Sequence, residues 1–137
     1  MDILLSIKPK YVAYIRMGKK FVELRKSFPL DKNIEKIFIY ESFPVKKICG
    51  YIKPKAICRF NINELWKKTK SLSCVEESDF YEYYQGKTSG IGIFFDEFIP
   101  MPPASLDTVL QNAPQSYANL TAAQSKILEK LMADRES

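Results

Sequence analysis

The sequence predicts an α+β domain in which helices cover a curled sheet or small, mostly antiparallel barrel. Three observations predict it. Short apolar stretches with alternating or β-branched character recur over roughly the first hundred residues and read as strands. Segments with helical spacing, opened by capping signals and closed by glycine, lie between them. The resulting order, one strand, a helix, three strands, two helices and a strand, is that of an α+β chain rather than a regular βαβ repeat.

Each element has its own warrant. "ILLSI" (3–7) is a short apolar run and predicts a buried strand. Pro9 fits the first position of a helix whose apolar stripe includes Tyr11, Val12 and Ile15, and Gly18 is its natural stop. "KFVELRK" (20–26) alternates and predicts a second strand, with Phe21, Glu23 and Arg25 on one face and Val22 and Leu24 on the other. "KIFIYES" (36–42) is apolar on both faces, so it is expected between two layers. Residues 46–61 read as one long strand or two, with Gly50 inviting a bulge and Pro54 unable to donate to a ladder.

Two capping-box patterns follow. Asn61 with Glu64 opens a helix over "INELWKKTKS", and Ser73 with Glu76 repeats the signal for "VEESDFYEYYQ", closed by Gly86. "GIGIFFDEF" (90–98) predicts a last strand, its alternate glycines marking places where something approaches the backbone closely. The composition then changes to Ala, Gln, Asn, Ser and Pro, read as a surface connection. Thr121 and Gln124 cap a terminal helix whose Ile127, Leu128 and Leu131 form a narrow stripe. The expected organisation is a domain over 1–99 and a C-terminal extension over 100–137, whose helix docks back, meets a protein partner or mediates self-association.

Composition bounds the function. A chain of 137 residues suits one domain able to bury about two-thirds of its unfolded surface. Its apolar runs are too short to span a bilayer. Asp2 and Lys8 break the pattern of a secretory leader, and three cysteines without a C-x-x-C spacing read as free thiols, so the expectation is a cytoplasmic protein without membrane association. There is no histidine, which excludes serine–histidine and cysteine–histidine catalysis and removes the commonest zinc ligand. No metal or cofactor is expected. Residues 1–70 hold 17 Lys/Arg against 6 Asp/Glu, and residues 71–137 hold 4 against 10, within a net charge of +5. That asymmetry favours a polyanionic partner if the basic half stays together in space.

"LLSIKPKYVAYIRMGKKFVELRK" resembles the opening of ASCH domains, a branch of the PUA-like superfamily. The family pattern, a strand ending S-I-K/R-P, a helix, then G-x-K-x-x-E-x-R, falls here on Ser6, Ile7, Lys8 and Pro9, then Gly18, Lys20, Glu23 and Arg25. "IYESFP" (39–44) and "GIGIFF" (90–95) follow in the family's order. The resemblance covers residues 3 to about 99. It implies a PUA-like barrel with helices flanking a cleft, RNA or nucleotide-like ligands and, in a few relatives, hydrolysis.

Six residues are then candidates for ligand binding: Lys8, Lys20, Glu23, Arg25, Tyr40 and Ser42. Glu23 and Arg25 share a strand face and either pair on an exposed sheet or face the cleft. Lys20 joins them only if it belongs to the turn after Gly18 or a bulge intervenes. Together the three suit a base edge, with the carboxylate accepting N–H groups and the cations meeting carbonyl or phosphate oxygens. Lys8 at a helix N-terminus suits a phosphate. Tyr40 either packs in the core or stacks a base, with Ser42 at the rim. The family's amidohydrolases of acylated cytidine use a lysine and a threonine three residues later. Lys20 matches the lysine, but Glu23 stands in the threonine's place, which argues against that activity. A metal-assisted ribonuclease using Lys20, Glu23, Tyr40 and Ser42 of the same cleft is the other enzymatic alternative, against which a metal site needs more acids than the first half offers, and no catalytic residue is assigned.

Overall fold

The computed structural model describes residues 1–31 and 33–136. Among the described residues, eight strands and four α-helices run in the order β1 (Asp2–Ile7), α1 (Pro9–Arg16), β2 (Val22–Arg25), β3 (Lys36–Glu41), β4 (Lys47–Ile52), β5 (Ala56–Asn61), α2 (Ile62–Thr69), α3 (Glu77–Tyr83), β6 (Ser89–Phe94), β7 (Phe98–Ser105), β8 (Tyr117–Leu120) and α4 (Ala122–Glu136), with a short 3-10 helix at Leu106–Thr108. The fold is α+β. A five-stranded sheet has the order β7-β4-β3-β1-β8, and a three-stranded sheet the order β2-β6-β5. Every ladder is antiparallel except β1 with β3, which run parallel with Ser6 opposite Tyr40.

The two faces of β1 and β3 are both covered, as their unbroken apolar runs require. Ile3, Leu5, Ile7, Ile37 and Ile39 join Ile91 and Ile93 of β6, with Val12 and Ile15 of α1, in a core between the sheets. Leu4, Phe38 and Tyr40 point the other way, into a second core closed by Met101 and Leu128. A third cluster, Leu24, Leu65, Phe80 and Tyr84, seats α2 and α3 on the smaller sheet.

Local signals explain most boundaries. Pro9 starts α1, and Gly18 at φ 70° adopts the left-handed conformation that lets the chain leave the helix. The Asn61 side chain accepts from the Glu64 N–H at 2.9 Å. Thr121 and Gln124 exchange side-chain bonds with each other's backbone N–H, at 3.1 and 2.8 Å. The close approaches foreseen at the alternate glycines are also present. A Cβ on Gly90 would collide with the Tyr84 ring and Leu65.

Residues 46–61 form two strands separated around Pro54, one of the two readings expected of them. Other boundaries differ from expectation. Ser73 does not cap α3: its hydroxyl accepts from the Val75 N–H at 3.3 Å, and Glu76 itself holds the N-cap position. The strand expected over 90–98 ends at Phe94, and the 100–120 segment is not a bare connection. It supplies most of β7 and all of β8, the two edges of the large sheet. Pro102 and Pro103 mask β7 in the sequence, because proline is excluded from central strands but tolerated at an edge. α4 packs on β7 and β8. Its Leu128 is buried and Leu131 half-buried, whereas Ile127 remains exposed. Among the described residues no helix is long and apolar enough to cross a membrane.

Candidate functional site

β1 and β3 run parallel, so their carboxyl ends lie side by side, and the even-numbered face that buries Leu4 and Phe38 continues outward as Ser6, Tyr40 and Ser42. There the packed core gives way to a cavity of about 490 Å³. Its walls come from the start of α1, β2, the turn after β3, α3 and the 113–115 loop. Lys8, Lys20, Glu23, Arg25, Tyr40 and Ser42 all line it.

Glu23 is the hub. Its Oε1 lies 3.4 Å from Lys20 Nζ, and its Oε2 accepts from Arg25 Nε at 3.1 Å and from the same guanidinium's terminal nitrogen at 2.8 Å. Lys20 stands before β2 rather than in it, its backbone N–H donating to the Tyr14 carbonyl at the end of α1. That placement brings a residue three positions away, which a regular strand would turn to the opposite side, onto the face of Glu23. Lys20 is 1% exposed and Glu23 6%. The Lys20 ammonium also donates to the Ser73 carbonyl at 2.6 Å and sits 4.8 Å over the Tyr11 ring. Burial pulls the Lys20 pKa down, while Glu23 opposes that shift.

Arg25 is a clamp as well as a cation. Besides Glu23 it donates to the Ser6 carbonyl and, at 3.3 Å, to the Ser116 hydroxyl. It thereby ties β2 to β1 and to the chain entering β8. Ser6 reinforces the joint, its hydroxyl donating to the Pro114 carbonyl at 2.8 Å. Tyr84 donates to the Arg25 carbonyl at 3.0 Å. The network is therefore preorganised: each charged group within it is held by protein partners before any ligand arrives.

Lys8 is exposed at the N-cap of α1, where its carbonyl accepts from the Tyr11 and Val12 N–H groups. Tyr40 is buried in the core of the large sheet and still reaches the cavity wall. The Ser42 N–H donates to the Ile7 carbonyl at 3.0 Å, fixing the turn that follows.

No family model matches the chain. An ASCH domain-containing ribonuclease of Zymomonas mobilis is 26% identical over 140 residues, which is 98% of this chain and 95% of that protein. The crystal structure of ASCH from Zymomonas mobilis superposes with a TM-score of 0.87 at 27% identity, covering 95% of this chain and 94% of that one. The structure of one of its mutants gives the same TM-score at 26% identity, covering 95% of each chain. In sequence and in fold the chain is similar over nearly its whole length to the ASCH protein of Zymomonas mobilis.

The cavity also contains residues outside the six candidates. Lys46 lines it with φ 57°, a left-handed conformation uncommon for lysine. Phe43 and Tyr83 line the mouth. In the aromatic run of α3, Phe80 and Tyr84 pack in the third cluster, whereas Tyr83 turns to the cavity with Asp79, one helical turn before it.

Proposed function

We propose that this chain is an ASCH-domain ribonuclease that seats one nucleotide of an RNA chain in the cavity. Support comes from the joint lining of one concave site by Lys8, Lys20, Glu23, Arg25, Tyr40 and Ser42. Glu23, fixed between two cations, accepts N–H groups of the base. Lys8 and Lys46 draw the phosphates, and the Tyr40 and Ser42 hydroxyls bond the ribose or a phosphate oxygen. The full-length likeness to a protein named as a ribonuclease favours cleavage over binding alone.

The chemistry follows from what the chain lacks and RNA supplies. The chain has no histidine to activate a cavity hydroxyl, and Glu23 stands where the amidohydrolases have threonine. RNA carries its own nucleophile in the ribose 2′-hydroxyl. Its oxygen attacks the adjacent phosphorus while its proton leaves to a base, the P–O5′ bond breaks, and the departing oxygen takes a proton. The products are a 2′,3′-cyclic phosphate and a 5′-hydroxyl end. Lys8 and Lys46 stabilise the charge that develops on the phosphoryl oxygens, and Tyr40 is positioned to carry a proton.

We read the two sheets as the sides of the PUA-like barrel, and the free cysteines as fitting a reducing cytoplasm. The test is an end-labelled RNA and its 2′-deoxy counterpart. Cleavage of the ribose form alone, with cyclic-phosphate ends, is expected. Equal cleavage of the deoxy form, or none of either at high enzyme concentration, would overturn the proposal. N4-acetylcytidine is expected to remain intact.

A further inference from the structure

Two aromatic rings at the cavity mouth are exposed in a way the fold does not require. Phe43, in the turn after β3, is 75% exposed, and Tyr83, on α3, is 40% exposed. Both line the cavity, and they come from different walls. Each carries a lysine over its face: Lys46 Nζ lies 5.6 Å from the Phe43 centroid, and Lys26 Nζ 4.6 Å from that of Tyr83. Lys46 does so from the left-handed backbone conformation noted above. A solvated phenylalanine gains little for folding, and an exposed ring beside lysines on the wall of a charged cavity has the composition of a nucleic-acid stacking platform.

We propose that Phe43 and Tyr83 are stacking platforms for the nucleotides flanking the one seated in the cavity, so that the protein reads a run of about three unpaired nucleotides. This rests on the RNA reading above and extends it from one nucleotide to its neighbours. An RNA chain has the matching alternation. Each base offers a face to a ring, and each phosphate meets the lysine beside that ring. An apolar protein segment would leave Lys46 and Lys26 facing no anion, so charge complementarity favours RNA over such a partner. A free mononucleotide fills the cavity but leaves both rings bare, so it binds more weakly than a short oligonucleotide.

The experiment is a binding cycle on the full chain, with anisotropy of a labelled RNA oligonucleotide carrying non-cleavable 2′-O-methyl groups. Phe43→Ala and an abasic nucleotide at one flank are each expected to weaken binding about tenfold. Combined, they should cost no more than either alone, and Phe43→Tyr should restore the affinity. Tyr83→Ala should behave likewise toward the opposite flank. Wild-type binding that is unchanged by Phe43→Ala and by Tyr83→Ala overturns the stacking proposal while leaving the RNA reading intact. If the wild-type chain binds no RNA, both fall. Loss of a dimer in sedimentation on Phe43→Ala, with RNA affinity unaltered, would assign the ring to self-association instead.

Discussion

Lys20 Nζ lies 3.4 Å from Glu23 Oε1, although the two residues would face opposite ways in a regular strand. They meet because β2 begins only at Val22, leaving Lys20 in the turn that α1 makes after Gly18. The pair is nearly inaccessible, so each charge depends on the other and on Arg25 for its place in the interior.

Removing the carboxylate should therefore cost stability as well as ligand. Glu23→Ala strands a buried ammonium and is expected to lower unfolding free energy by about 3 kcal/mol. Lys20→Met, which keeps the volume and leaves Glu23 paired with Arg25, should cost less. Urea unfolding of the two variants measures the difference. A smaller loss for Glu23→Ala than for Lys20→Met would contradict the hub role.

Cys49 gives a pH-dependent signature independent of the cavity. Burial pushes its thiol up to about 11 from an ordinary 9.0, against the opposing pull of the Arg16 guanidinium. The unfolded chain ionises this thiol first. Its contribution to stability is therefore complete below pH 9 and lost as pH rises to 11. Relative to Cys49→Val, the wild type should lose roughly 2–3 kcal/mol across that window. Parallel stability curves would show that the thiol ionises freely in the native state.

Lys8 and Lys46 are exposed, so their substitution tests ligand contact without disturbing the core. Lys8→Ala and Lys46→Ala should each flatten the dependence of log Kd on log salt by about 0.7, the share of one phosphate contact with a single strand. Melting temperatures should stay near that of the wild type. An unchanged slope would remove that lysine from the interface.

Gly90 links the smaller sheet to the site. A methyl group there would collide with Tyr84, whose hydroxyl holds the Arg25 carbonyl. Gly90→Ala is expected to cost about 1–3 kcal/mol through overpacking and to weaken RNA binding in the same variant. Retained binding with lost stability would show that Arg25 is held without Tyr84.

The parts legible in the sequence were those governed by local chemistry. Asn61 and Thr121 cap their helices because a side-chain oxygen three residues before an N–H is a local relation. Glu23 and Arg25 share a face because alternation along a strand is local too. β7 was hidden because its prolines are tolerable only at an edge, and edge position depends on the whole sheet. The clamp from Arg25 to Ser116 spans 91 residues and the Lys46 conformation depends on its turn, so neither left a periodic mark. Tyr83 shows the same limit: helical spacing identifies faces, and tertiary packing decides which face is buried.

The central claim is that RNA enters the cavity at the carboxyl ends of β1 and β3. Amide chemical-shift mapping with a short 2′-O-methyl RNA tests it most directly. Shifts concentrated at Lys8, Arg25, Ser42, Phe43 and Tyr83 are the predicted result. Shifts confined to α4 and β7, or no shifts at millimolar RNA, would contradict it.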